Sequence, residues 1–263
     1  MTDPRLYIET GPGLVLKPGL SLPASKPDSH YLISVMRRTK GDGVRLFNGV
    51  DGEWTARIAL ANRKGALLEL IEQTRKQVES PDLTLLFAPV KRQKTELIVE
   101  KATELGARSI WPVLTQHTQA DRTKMDRLEA IAKEASEQTE RLDLPQINDP
   151  SKLAKVLEGW DETCPIFYCD EAGDENDQVW GGQTGRARPM LDVLKDQSST
   201  RAAILIGPEG GFSVEERTQL RSLPFVHPVS LGPRILRAET AVIAALTLWQ
   251  SVCGDWRENS QAR

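Results

Sequence analysis

Residues 201–240 read RAAILIGPEGGFSVEERTQLRSLPFVHPVSLGPRILRAET, and one pattern occurs in them twice. Ile204-Leu205-Ile206 runs into Gly207-Pro208-Glu209-Gly210-Gly211. The apolar stretch from Val226 to Leu231 likewise enters Gly232-Pro233-Arg234-Ile235-Leu236-Arg237-Ala238-Glu239-Thr240. Each is a strand that stops at a Gly-Pro turn and continues as helical sequence. Strand–turn–helix units of this kind predict an α/β domain with a mostly parallel sheet, because parallel strands need long, usually helical, crossovers. In open sheets of that class ligands sit outside the carboxyl ends of the strands, where glycines let backbone amides and carbonyls approach closely. The two turns are therefore the candidate active site.

Their residues narrow the ligand. Ser213 followed by Glu216 is a capping box, so a helix starts there and turns its N-terminus back toward the first loop. Glu209 puts a carboxylate inside that loop, and the chain has neither a GxxxxGK loop nor a GxGxxG turn. A pocket of this composition suits a ligand with hydroxyls, an amino group or positive charge better than a polyphosphate. Beyond the second turn, Ala241 to Trp249 is apolar around nearly its whole circumference. Such a helix is covered either by the core of its own chain or by a second subunit.

Upstream the character changes. Val44–Asn48 and Trp54–Leu60 are β-rich runs joined by Gly49-Val50-Asp51-Gly52, a hairpin connection, and Leu67–Ile71 supplies another strand. Dense Pro and Gly between Gly11 and Pro27 read as irregular chain, with a short helix expected over His30–Met36. A small β-barrel fits these elements. The polar stretch from Glu72 to Asp82 lacks an apolar period, which places a domain boundary there and divides the chain into 1–76 and 77–263. Past it come a strand at Leu83–Ala88, a helix from Gln93 to Leu105 closed by Gly106, a strand at Ile110–Leu114 and a helix over Asp126–Leu142. A short helix near Leu153–Leu157 and a strand at Ile166–Cys169 follow, and residues 171–188 read as an exposed insertion.

Composition removes several function classes. No run approaches the eighteen or more apolar residues of a membrane span, and Met1–Leu6 lacks the basic-then-apolar plan of a secretory leader, so a cytoplasmic protein is expected. Cys164, Cys169 and Cys253 are odd in number and show no framework spacing; His30, His117 and His227 are scattered singly. Neither a disulfide scaffold nor a metal site is expected. The formal net charge is −3, yet residues 1–80 hold 12 Lys+Arg against 9 Asp+Glu, leaving 22 against 28 of the totals 34 and 37 for the rest. Two basic clusters, Arg37-Arg38-Lys40 and Lys91-Arg92-Lys94, are candidate phosphate contacts as well as ordinary solvated surface.

GPEGGFSVEE together with LGPRILRAETA resembles the SPOUT class of S-adenosylmethionine-dependent RNA methyltransferases, and within it the ribosomal RNA small subunit methyltransferase E family. The likeness extends over essentially the whole chain. His30-Tyr31-Leu32, Val35-Met36-Arg37 and Leu46-Phe47-Asn48-Gly49 are similar to the family's PUA-like barrel. Lys91 with ELIVEKATELGA (96–107), and Glu137-Gln138 with Arg141 and Pro145, are similar to its catalytic-domain segments.

The resemblance implies a C-terminal trefoil knot that binds S-adenosyl-L-methionine, an obligate homodimer, and methyl transfer to N3 of a uridine in 16S rRNA within the small ribosomal subunit, near the decoding centre. Leu205, Ile206, Gly207, Pro208, Glu209, Gly210, Gly211, Leu231, Gly232 and Leu236 would then hold the cofactor. Arg237, Arg141 of the partner subunit and Glu239 are the implied catalytic residues, and Arg37, Arg38, Lys91, Arg92 and Lys94 the implied RNA contacts. Because N3 of uracil carries a proton, the reaction needs a base or a cation that stabilises the anion; neither motif contains a His, so no proton acceptor is assigned. Two other classes are weighed. A non-enzymatic RNA-binding module leaves the paired glycine turns without a purpose, and an NAD-type oxidoreductase lacks its GxGxxG fingerprint.

Overall fold

The computed structural model describes residues 3–11, 13–119, 124–170, 187–197 and 199–257. The expected insertion at 171–188 falls outside them except for its last two residues. The chain divides into two units, one comprising 1–79 with 136–144 and the other 80–135 with 145–263.

The first unit is a five-stranded sheet: β1 (Arg5–Tyr7), β2 (Ser21–Pro23), β3 (Gly43–Phe47), β4 (Glu53–Asn62) and β5 (Gly65–Arg75), in the order β1-β3-β4-β5-β2. Pairing is antiparallel except for β1 with β3. Alternation sets the core, since Trp54, Ala56 and Ile58 on β4 and Ala66, Leu68 and Leu70 on β5 are buried at every second position. The β3–β4 connection is held by Asn48, whose Oδ1 accepts from the Val50 and Asp51 amides at 3.0 and 2.8 Å, and by Gly52 at φ +71. A Cβ at Gly52 would lie 2.1 Å from the Arg75 carbonyl oxygen, so only glycine fits.

The short helix begins earlier than expected. Ser25 caps α1 (Lys26–His30) by accepting from the Asp28 amide at 3.1 Å, and the chain continues as a π-helical turn over Tyr31–Val35. Pro27 lies where a first-turn amide has no intrahelical partner, so it starts a helix rather than marking coil.

In the second unit β6 (Asp82–Phe87), α2 (Arg92–Glu104), β7 (Ser109–Leu114), α3 (Met125–Gln138), β8 (Gln146–Ile147), β9 (Ser151–Lys152), α4 (Leu153–Glu158) and β10 (Ile166–Cys169) follow in turn. Then come β11 (Arg188–Pro189), α5 (Met190–Lys195), β12 (Arg201–Ile206), α6 (Val214–Ser222), β13 (Val226–Ser230) and α7 (Ala238–Val252). The strands run β11-β13-β10-β12-β6-β7-β8, with β9 beside β7, and all pair in parallel. Both faces are covered, which explains the continuous apolar runs. Leu85, Phe87, Ile204 and Ile206 pack with Val99, Ala102, Val242 and Leu246 of α2 and α7. Leu86, Ala203 and Leu205 pack with Val156 of α4 and Leu220 of α6.

Helix α2 ends as its sequence predicts. Gly106 is at φ +79, its amide donates to the Thr103 carbonyl, and the Ala107 amide donates to the Ala102 carbonyl at 2.9 Å, a Schellman closure. Helix α3 stops at Gln138, four residues before the expected end. From Ser136 onward its last residues belong to the first unit: Glu140 is at φ +62, and the Arg5 guanidinium of that first unit takes the Ser136 and Arg141 carbonyls, so the chain leaves the helix with those acceptors satisfied from outside it.

Candidate cofactor-binding site

Strands β12 and β13 flank β10, so the three carboxyl ends lie side by side and both Gly-Pro loops open over them. The first loop leaves β12 where the Ala88 amide donates to the Ile206 carbonyl at 2.9 Å. A Cβ at Gly207 would meet the Phe212 ring at 2.5 Å, so glycine lets that ring fold back over the strand end. The Gly211 amide then donates to the Pro208 carbonyl at 2.9 Å, with Gly211 at φ +66. The capping box forms: Ser213 Oγ accepts from the Glu216 amide at 3.2 Å, and the Ser213 amide donates to Glu216 Oε2 at 3.0 Å. In the second loop Gly232 is at φ +118, and Arg237 is the extended residue that precedes α7, its carbonyl accepting from the Ala241 amide at 2.8 Å.

A cavity of about 450 Å³ lies between the loops, within the usual range for small-molecule sites. Of the residues singled out from sequence, Ile206, Gly207, Pro208, Glu209, Gly210, Gly211, Leu231, Gly232, Leu236 and Arg237 line it. Leu205 does not; it is buried in the layer beneath α4 and α6. Glu239 lies outside the lining. One of its carboxylate oxygens, Oε2, is buried without a hydrogen-bond partner among the described residues, and the other is 3.9 Å from Lys94 Nζ. That same ammonium reaches Glu209 Oε1 at 3.4 Å, so Lys94, expected at phosphates, stands between the carboxylates of the two motifs. Arg237 is exposed and makes no ion pair among the described residues.

The remaining candidates are dispersed. Lys91 immediately precedes α2, and Arg92 pairs with Glu96 at 2.8 Å. Arg37, at φ +54, and Arg38 follow the π-helical turn of the first unit. Arg141 also belongs to the first unit, where its guanidinium pairs with Asp143 at 2.8 Å.

Several cavity residues escaped the sequence reading. Cys169 and Asp170, at the end of β10, line it together with Phe212, Val214 and Arg217. The Asp170 side chain is 1% exposed and is held by Arg221 Nη2 at 2.8 Å and Arg217 Nε at 3.3 Å. Burial pushes the Cys169 thiol up to about 12, and the Asp170 charge adds to the shift. Behind the first loop stands His117, ninety-three residues away in sequence, with Nδ1 at 3.1 Å from the Gly210 carbonyl. No local motif announces either group; only the adjacency of β10 to β12 and of β7 to β6 brings them in. Among the described residues no cluster of three or more His, Cys, Asp or Glu side chains is placed to hold a metal ion, and no helix is long and apolar enough to cross a membrane.

Two Gly-Pro loops over the carboxyl ends of parallel strands, with a separate small sheet unit ahead of them, define a class. Residues 78–250 match the family model described as RNA methyltransferase domain, and residues 25–71 the one described as RNA methyltransferase PUA domain; the chain is a member of the RNA methyltransferases of that domain composition. Among relatives, it is 34% identical over 223 residues to the ribosomal RNA small subunit methyltransferase E of Rickettsia conorii, covering 85% of this chain and 86% of that protein. It is 35% identical to the Synechocystis protein of the same name, covering 82% and 68%. The chain therefore belongs to the ribosomal RNA small subunit methyltransferase E family. A methyltransferase from Legionella pneumophila solved with bound cofactor SAM superposes with a TM-score of 0.77 at 27% identity, over 97% of this chain and 100% of that one. The S-adenosyl methionine complex of the Neisseria gonorrhoeae family member shares the fold, with a TM-score of 0.79 at 23% identity over 97% and 100%.

Proposed function

We propose that this chain transfers a methyl group from S-adenosylmethionine to N3 of a specific uridine in 16S rRNA, within the small ribosomal subunit near the decoding centre. It does so in the cytoplasm as a homodimer whose C-terminal loops form a trefoil knot. In this reading residues 1–76 form a PUA-like barrel that binds RNA and 77–263 the methyltransferase domain. The observation that carries it is a cavity lined by both Gly-Pro loops.

The residues present fit the cofactor. Ile206, Val229, Leu231, Leu236 and Ala241 offer an apolar wall for an adenine ring, loop amides and carbonyls offer partners for its polar edge, and Glu209 offers a carboxylate for ribose hydroxyls or a positive charge. Gly207 leaves room for the Phe212 ring, which folds over the strand end and joins the cavity lining. S-adenosylmethionine bound there supplies an electrophilic methyl group on a sulfonium sulfur. The chain's task is to hold the uridine nitrogen in line with that methyl and to stabilise the charge left as the N3 proton departs. Arg237, on the cavity wall and free of a carboxylate partner among the described residues, is the cation placed for the second task; Arg141 of the partner subunit and Glu239 complete the catalytic set. Arg37, Arg38, Lys91 and Arg92 contact RNA phosphates, whereas Lys94 links Glu209 and Glu239.

Labelled methyl transfer to small ribosomal subunits that lack the modification tests this directly, with the product mapped by reverse transcription, which a methyl on the N3 pairing edge stops. Arg237→Ala should lower kcat by about 10²-fold or more, the scale of one lost charge-stabilising group, with cofactor affinity unchanged. Label on another nucleotide or another atom of the base would overturn the assignment.

A further inference from the structure

We propose that His117 is a positioning residue for the Gly207–Gly211 loop and thereby sets the affinity for the methyl donor; this rests on the reading of the cavity as a methyltransferase site. Nδ1 of His117 lies 3.1 Å from both the Gly210 and the Gly211 carbonyl oxygens. Carbonyls only accept, so Nδ1 carries the hydrogen and donates to the pair in a three-centre bond. Both glycines line the cavity, and their carbonyls are thus engaged from outside it.

The contact belongs to a built interface. A Cβ at Gly210 would stand 3.3 Å from His117 Cβ, so glycine is what allows the imidazole to sit against the loop. The neighbouring Gln116 amide donates to Glu216 Oε1 at 2.9 Å, while Oε2 of the same carboxylate closes the capping box at Ser213. Thr115 and Thr118 brace the turn that carries His117, with Thr115 N donating to Thr118 Oγ1 at 2.9 Å. The segment after β7 therefore holds the Gly210-Gly211 part of the loop and its α6 end. Left alone, a stretch with glycine at three of five positions samples many conformations, and fixing it before the ligand arrives removes part of the ordering cost of binding.

The test compares His117→Ala and His117→Arg with wild type, using titration with S-adenosylhomocysteine, steady-state kinetics and amide exchange of residues 207–212. The Ala variant should bind about tenfold more weakly, the scale of one or two lost hydrogen bonds, with KM for the donor raised, kcat at saturation kept and loop exchange accelerated. Exchange of β12 should not change. Arginine, which also donates to paired carbonyls, should restore affinity and loop protection, as no purely space-filling role would require. Unchanged affinity and exchange in His117→Ala would overturn the proposal, as would retained affinity with a loss confined to kcat. Should wild type itself fail to bind, the methyltransferase reading fails. Loop exchange then decides the clamp separately: acceleration in the Ala variant upholds it and no change refutes it.

Discussion

Replacing Arg5 by Met should destabilise the first unit by about 3–5 kcal/mol, the cost of stripping one partner from a buried ion pair. Arg5 Nε donates to Glu53 Oε2 at 2.6 Å, and both side chains are only 3% exposed. The guanidinium also lies 3.9 Å from the Phe47 ring centroid and donates to the Ser136 carbonyl at 2.9 Å and to the Arg141 carbonyl. Burial lowers the affinity of this guanidinium for its proton, and the Glu53 hydrogen bond and charge oppose that shift, so the pair stands or falls together. Without Arg5, Glu53 retains, among the described residues, Arg45 at 3.7 Å and the Thr74 hydroxyl at 3.3 Å. Arg45 is the reason to expect the lower half of the range. Because a domain's whole stability is about 5–15 kcal/mol, such a loss would be plain in urea denaturation, and exchange of β3–β5 amides would localise it. The double variant Arg5→Met/Glu53→Gln should recover at least half of the loss, since no uncompensated charge remains. A loss below about 1 kcal/mol, or a double variant no better than the single one, would refute the reasoning.

Three further outcomes are expected. Gly106→Ala should cost about 1–3 kcal/mol in denaturation, because the residue is at φ +79 and its new Cβ would lie 2.6 Å from Gln250 Nε2, which donates to the Leu105 carbonyl at 2.7 Å; a neutral result would disprove that lock between α2 and α7. Burial lowers the pKa of His227, so the folded state binds its proton less readily than the unfolded chain. Its contribution to stability is complete above the unfolded value of about 6.5 and is lost as pH falls through the folded one. Melting temperature should drop less between pH 7.5 and 5.5 in His227→Phe than in wild type, and equal drops would argue against it. Cys169, which is partly buried on the cavity wall with its thiol near 12, should alkylate with iodoacetamide at pH 8.5 far more slowly than a free cysteine, because only about one molecule in three thousand carries the thiolate; modification at the free rate would contradict the raised thiol.

The parts of this fold that local chemistry dictates are legible in the sequence. Continuous apolar runs at Leu83–Ala88 and Ile204–Ile206 announced parallel strands, Gly106 announced a left-handed helix end, and Ser213 with Glu216 announced the start of α6. Three-residue strands such as Arg5–Tyr7 and Ser21–Pro23 carry too few residues to show a period, and they exist only because neighbouring strands supply their hydrogen bonds. The early end of α3 was equally invisible, since its cause is Arg5, more than a hundred residues away. The same limit holds for the site. Glycine-rich turns identify themselves, whereas His117 behind the first loop, Asp170 under the cavity and Lys94 between Glu209 and Glu239 owe their roles to strand order. Lys94 shows the hazard most clearly, because a basic cluster in sequence reads as surface charge until the helix carrying it is docked.

The most direct test of the account is calorimetric titration of the intact protein with S-adenosylhomocysteine, run beside Gly210→Val. A branched side chain at that position must displace His117, since even its Cβ would lie 3.3 Å from the histidine's. Micromolar binding by wild type, lost in the folded variant, is the predicted result. Absence of binding to folded wild-type protein would contradict the central claim that the two Gly-Pro loops enclose a methyl-donor site.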